Sequence, residues 1–184
     1  MRVIEFFMRC LEDNYQSLLK SVDGLTQEEL SWQPQPHCNS IGFLVWHYGR
    51  ALDLWFHTHF RQVPQLWEQG WGEKFDRAPA DPRDHGFGFT VEQVQDFKVP
   101  QVSVLLGYAE AAYQTALSYL DDVGDQDPDT VKVQRGTRTL TTALEHLVWE
   151  LNQHGGQIAY IRGMKRGVED ANFFPALAAK RTSA

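Results

Sequence analysis

The sequence predicts an all-α chain, a four-helix bundle with a long aromatic-rich connection between its second and third helices. Three observations lead there. Four segments repeat apolar residues at steps of three and four, the period of one helix face. Nothing supports a sheet beyond a short extended piece at Val131-Lys132-Val133. Of the 184 residues, 42% are hydrophobic and 22% charged, which suits a globular domain with a sizeable core rather than a disordered or collagen-like chain.

In the first segment, Ile4, Met8, Leu11, Tyr15, Leu18 and Val22 form one stripe that ends near Asp23-Gly24. Thr26 with Glu29 gives a capping box over a short turn, and Pro34 and Pro36 keep the following chain extended. Asn39 and Ser40 are suitable N-caps for a second helix with stripe Leu44, His47, Ala51 and Leu54, widened by Ile41, Tyr48 and Trp55. A third helix starts close to Pro100 and carries Val102, Leu105, Ala109, Ala112, Ala116 and Leu120 on one side. The fourth begins near Thr139 or Thr141 and runs through Leu140, Leu144, Leu147, Leu151, His154, Ile158 and Ile161, with Gly163 and nearby cations suited to its end. None of the four is apolar all round, so each needs the others to cover its stripe. The bundle is expected over residues 1–167, followed by a poorly ordered tail over 168–184.

The connection from about Gln62 to Lys98 is much longer than neighbouring helices need. Trp67, Trp71, Phe75, Phe87 and Phe89 argue for a packed lid or crossover, with a dimer contact as the competing reading. Thr90 with Gln93 forms another capping box, which predicts a short helix over Val91 to Phe97.

With 17 Lys and Arg against 24 Asp and Glu, the net charge of −7 lacks the basic field that drives nucleic-acid binding. Lys165 and Arg166 near Arg162 are explained by a helix C-terminus. Two cysteines exclude a disulfide framework. Glu5 interrupts the short apolar N-terminal stretch, and no run is long enough to span a bilayer. No nucleic-acid or membrane partner is expected, and the default location is the cytoplasm.

The chemical signal lies in residues 144–163. Glu150 and His154, four positions apart, are about 40° apart around a helix that advances about 100° per residue, so they share a face. His154 sits between Leu151 and Ile158, where a hydrophobe belongs, and His47 does the same between Leu44 and Ala51. Together they offer two imidazoles and a carboxylate from two helices. This donor set suits zinc, and also nickel or iron, and leaves a coordination position open. Each residue also has a plainer reading, the histidines as hydrogen-bonded core groups and Glu150 as a solvated helix residue. His146 is the rival third ligand. It is about 80° from His154 by the same helical advance and reads as an outer-shell group or an exposed one. His57 and His59 lie near a helix end, His37 and His85 fall in loops, and none of these four shows a partner at a telling spacing. Cys10 lacks an activating base, and Gly155-Gly156 reads as a place for close approach by a helix or second chain.

Residues Ser40-Ile41-Gly42-Phe43-Leu44-Val45-Trp46-His47 and His154-Gly155-Gly156-Gln157-Ile158-Ala159-Tyr160-Ile161-Arg162-Gly163 carry a family likeness. The chain resembles the DinB/YfiT-like superfamily of metal-dependent bundle proteins, including the mycothiol-dependent maleylpyruvate isomerases. The loop from Trp67 to Phe89 is similar to one branch, and the likeness covers most of residues 1–167. By that resemblance His47 and His154 take the two histidine positions. Glu150 stands where many members have His, as it does in the mycothiol-dependent isomerases. The resemblance implies a metal-dependent enzyme of the thiol-dependent transferase or isomerase type, acting on a small molecule with a low-molecular-weight thiol. The alternatives are a metal-dependent hydrolase, or a non-catalytic dimeric ligand-binding or stress-response bundle. Trp46, Tyr48 and the aromatic loop would line the pocket or else belong to the core. Arg162 would receive an anionic substrate or else serve the helix end. No general base stands out, and a homodimer is expected.

Overall fold

A computed structural model of the chain describes residues 2–167 and 169–170. Helix α1 spans Val3–Val22 and turns Ile4, Phe7, Leu11, Tyr15, Leu18 and Val22 inward. Phe7 takes the buried place that the sequence gives to Met8, which packs at the margin. Thr26 and Glu29 cap α2 (Gln27–Ser31) reciprocally, as their spacing predicts.

Helix α3 (Ile41–Asp53) is the axis of the molecule, because every one of its 13 residues is buried. The Ser40 hydroxyl accepts from the Phe43 N–H at its start. At its other end the helix widens into a π-helical stretch, Leu54–Arg61, closed by Gln62 in the left-handed region. A 3-10 turn, Leu66–Gln69, and short helices α4 (Trp71–Lys74) and α5 (Val91–Gln95) lie within the long connection. That connection is a packed crossover: Trp67 and Phe97 are buried against Trp46 of α3, and Phe75 is buried against Trp67. Phe87 breaks the expectation, standing 84% exposed.

Helix α6 (Val102–Val123) packs along α3 through alanines at 109, 112 and 116. Small residues set the separation: a Cβ on Gly49 would come within 2.8 Å of the Tyr108 ring. Across the seam with α1, Tyr15 and Tyr113 stack at 4.2 Å, and each hydroxyl donates to a glutamate of the other helix, Glu110 and Glu12. Val131 accepts from the Leu140 N–H and Lys132 bridges Thr139, so the extended piece read at 131–133 is one arm of a small hairpin. Helix α7 (Leu140–Arg166) is capped by Thr139 and runs past Gly163 to a stop at Gly167, whose positive φ lets the chain leave the helix. Among the described residues no strand is formed, and no helix is long and apolar enough to cross a membrane. Apart from residues 169–170, the tail expected over 168–184 lies outside the described residues.

The C-terminal cations of α7 have structural work. Arg162 is buried and donates to the Ser21 and Asp23 carbonyls at the end of α1, at 3.1 and 2.7 Å, while pairing with Asp170. Arg166 grips both oxygens of Glu29 at 2.7 Å. Arg162 therefore takes the helix-end role rather than the substrate-binding one.

Candidate metal centre

Helices α3 and α7 pack together and bring His47, Glu150 and His154 into one cluster, with one ligand atom from each within 4.8 Å of the others. His47 Nε2 lies 3.9 Å from Glu150 Oε1, and the rings of His47 and His154 meet edge to face at 4.6 Å between centroids. The ring nitrogens have divided roles. His47 Nδ1 is 2.5 Å from the His85 carbonyl, which can only accept, so the proton sits on Nδ1 and the Nε2 lone pair faces the cluster. His154 Nδ1 is 3.2 Å from Gln157 Oε1. Burial and the neighbouring His154 push the His47 imidazole down to about 4, against a weaker opposing pull from the His85 carbonyl. His47 is therefore neutral at pH 7, the form a metal requires.

The His85 carbonyl is held in place by a buried clamp. Arg50 and Asp53 lie within α3, both fully buried. Arg50 donates to the carbonyls of Asp84 at 2.8 Å and Pro82 at 3.0 Å, and to Tyr108 and Asp53 at 3.0 and 3.2 Å. Asp53 accepts from Tyr108 at 2.7 Å and from the Leu66 and Trp67 N–H groups at 2.9 Å each. Arg77 closes the loop with a two-pronged pair to Asp84 at 2.5 and 2.8 Å. Gly86 then passes over the site in the left-handed region, where a Cβ would come within 3.0 Å of His47 Nδ1 and of Trp46. Only glycine fits both that backbone and that gap.

The sequence pattern of the DinB superfamily matches residues 11–158. The chain belongs to the DinB superfamily. In structure it is similar to a crystal structure described as the conserved protein of a locus from Enterococcus faecalis. The TM-score is 0.77 at 24% identity, over 89% of this chain and 96% of that one, a likeness of fold. No curated protein matches the sequence.

The donor set of this DinB bundle fits a divalent ion. Two donors about 2.1 Å from a tetrahedral ion stand about 3.4 Å apart, so the separations seen, up to 4.8 Å, are open but close by small rotations of side chains. Glu150 and His154 keep partial exposure, while His47 is buried beneath them. His146 is not one of the three: its Nε2 lies 3.5 Å from Glu150 Oε2, the carboxylate oxygen that faces away from His47. It packs between Trp55 and Trp149 and positions the carboxylate from outside.

Several expectations about this DinB chain need correction. His85 and His57 do have partners. His85 supplies the carbonyl behind His47, and His57 Nδ1 lies 2.8 Å from Asp53 Oδ1, an electrostatic contact not aligned as a hydrogen bond. The spacing of Asp53 and His57, four apart on one helix, is a signal the sequence contains. Trp46 and Tyr48 are core residues, both almost fully buried, and do not line an open pocket. A Cβ on Gly155 or Gly156 would meet nothing within 4 Å among the described residues, so none of the described helices uses that gap. Burial and Asp13 raise the Cys10 thiol, in keeping with a packing role.

Proposed function

We propose that this DinB bundle is a metal-dependent enzyme of the thiol-dependent transferase or isomerase type, with one divalent ion held by His47, Glu150 and His154. The observation that carries this reading is the pairing of a preset ligand with two adjustable ones. His47 is neutral, buried and locked by the His85 carbonyl, while Glu150 and His154 face it from one turn of α7. Two imidazoles and a carboxylate favour zinc, with nickel and iron as the competing ions. A divalent ion there supplies a Lewis acid that lowers the pKa of a thiol or of water. The protein's share is to keep Nε2 of His47 unprotonated and turned toward the cluster, to hold the carboxylate between His47 and His146, and to leave the α7 side accessible to a small substrate. Support for a thiol as co-reactant comes from the glutamate at position 150, which matches the thiol-dependent branch of the family by resemblance.

The test is metal content, followed by spectroscopy. Purified protein refolded with zinc should hold one equivalent, and His47→Ala or His154→Ala should lose it. Cobalt-substituted protein should change its visible spectrum when a low-molecular-weight thiol is added. Substoichiometric metal in the parent protein contradicts the metal reading, and an unchanged cobalt spectrum shifts the assignment to the hydrolase.

We also propose that the protein is a homodimer. Trp149, Tyr160 and Met164 are 57%, 71% and 52% exposed on α7. Their spacing places them on one face, with Gly156 between them. An apolar stripe of this kind is covered most simply by a second copy.

A further inference from the structure

Cations flank the cluster on the side of the hairpin that precedes α7. Gln134 N–H donates to the His59 carbonyl at 3.0 Å, which pins the hairpin to the π-helical end of α3. Arg135 and Arg138 both lie over the buried Trp55 ring, at 4.8 and 5.8 Å from its centroid. Trp55 in turn contacts His146 at 5.7 Å between centroids, and His146 touches Glu150 at 3.5 Å. The positive charge of Arg135 also reaches the imidazoles of His59 and His85.

Most of the described arginines have an acid partner. Arg50, Arg61, Arg77, Arg83 and Arg166 each meet a carboxylate. Among the described residues Arg135 and Arg138 meet none, in a chain with an excess of acids and a net charge of −7. Stacking on Trp55 accounts for their orientation. It does not require two of them, and among the described residues no side-chain hydrogen bond takes up their donor edges. Arg138 also lines a cleft of about 540 Å³ with Thr137, Thr142, Glu145, His146 and Trp149, so the cleft runs from the arginine to the outer partner of Glu150. That volume suits a small molecule. Glu145 is the one acid on its wall among the described residues.

We infer that Arg135 and Arg138 form an anion-binding subsite beside the metal centre, and that the small substrate or thiol handled there carries a carboxylate. The inference deepens the proposed function, but the arginines make a prediction that needs no metal. Planar guanidinium forks take a carboxylate with two parallel hydrogen bonds, and both groups lie over the same indole.

The test follows the arginine Nε–Hε resonances of the full-length, metal-free protein during titration with succinate, using neutral succinamide as control. Arg9, an exposed arginine elsewhere on the surface with no ion pair among the described residues, gives the non-specific baseline. Arg135 and Arg138 should shift along one saturating curve with succinate and not with succinamide. Arg135→Met with Arg138→Met keeps an apolar cover over Trp55 and should weaken the succinate effect by about tenfold or more, read at the Gln134 and Thr137 amides. Glu145→Gln should tighten it. A linear drift equal to that of Arg9, or an unchanged curve in the double variant, overturns the inference. A second arm compares 3-mercaptopropionate with 2-mercaptoethanol on cobalt-loaded protein. The anionic thiol should win by about tenfold, and the preference should vanish in the double variant. If neither thiol moves the cobalt spectrum, the thiol-dependent function fails, and the succinate titration alone decides the subsite.

Discussion

At the scale of single residues, the site depends on a carbonyl that no side-chain pattern announces. The His85 carbonyl fixes the proton of His47, and Gly86 lets the loop approach closely enough to deliver it. Gly86→Ala puts a methyl group against His47 and strains a left-handed φ. Outer-shell changes typically cost about 10–100-fold in metal affinity, and a chelator competition assay on Gly86→Ala should report a loss in that range. Asp53 makes a second residue-level prediction. Burial alone would raise its carboxyl. Contacts from His57 and Tyr108, the Arg50 charge and the Trp67 N–H outweigh burial, and it titrates below the ordinary value. A depressed folded pKa stabilises the fold above the unfolded carboxylate range, and that stability is lost as pH falls through the folded value. Urea unfolding of the metal-free protein should therefore weaken progressively below about pH 4. Asp53→Asn should flatten that slope, while destabilising the neutral-pH protein by about 3–5 kcal/mol because Arg50 is left buried without its partner.

At the scale of elements, glycines of opposite meaning separate the two faces of the bundle. Gly49 lies at the α3–α6 seam, where a Cβ would meet the Tyr108 ring at 2.8 Å, and Tyr108 is tied into the Arg50–Asp53 network. Gly49→Ala should cost about 1–3 kcal/mol in denaturant unfolding. Gly155 and Gly156 have free space around them within α7. Replacing either with Ala should stabilise the fold by about 0.5–1 kcal/mol in a monomeric background, and a loss there would show that a partner occupies the gap. Much of this level was legible in the sequence. The stripes of α1, α3, α6 and α7 and the capping boxes at Thr26 and Thr90 announced themselves through helical period and spacing. The π-helical stretch at Leu54–Arg61 did not, because its residues continue an ordinary helical pattern. The extension of α7 past Gly163 was hidden for a related reason: Arg162 and Arg166 anchor the last turn to α1 and α2 across more than a hundred residues.

At the scale of the whole molecule, a ligand of α3 meets two neighbouring ligands of α7, about a hundred residues on, because the two helices pack together. His47 and His154 could be read from the sequence since each interrupts an apolar stripe, and Glu150 from its spacing to His154. The clamp behind them could not. Its partners are 55 and 58 residues apart for Tyr108 with Asp53 and Arg50, and most of the others are backbone carbonyls and N–H groups, which nearly any residue type supplies. The exposed stripe of Trp149, Tyr160 and Met164 predicts a dimer by light scattering at micromolar concentration, and Tyr160→Lys with Met164→Lys should yield monomers with metal binding intact. A monomeric parent protein would contradict that assembly. The central claim is tested most directly by anomalous scattering from crystals grown with zinc and measured on both sides of the zinc edge. The account predicts one strong peak per chain, within bonding distance of His47 Nε2, Glu150 and His154. No peak at that position, or a peak held by other residues, would contradict it.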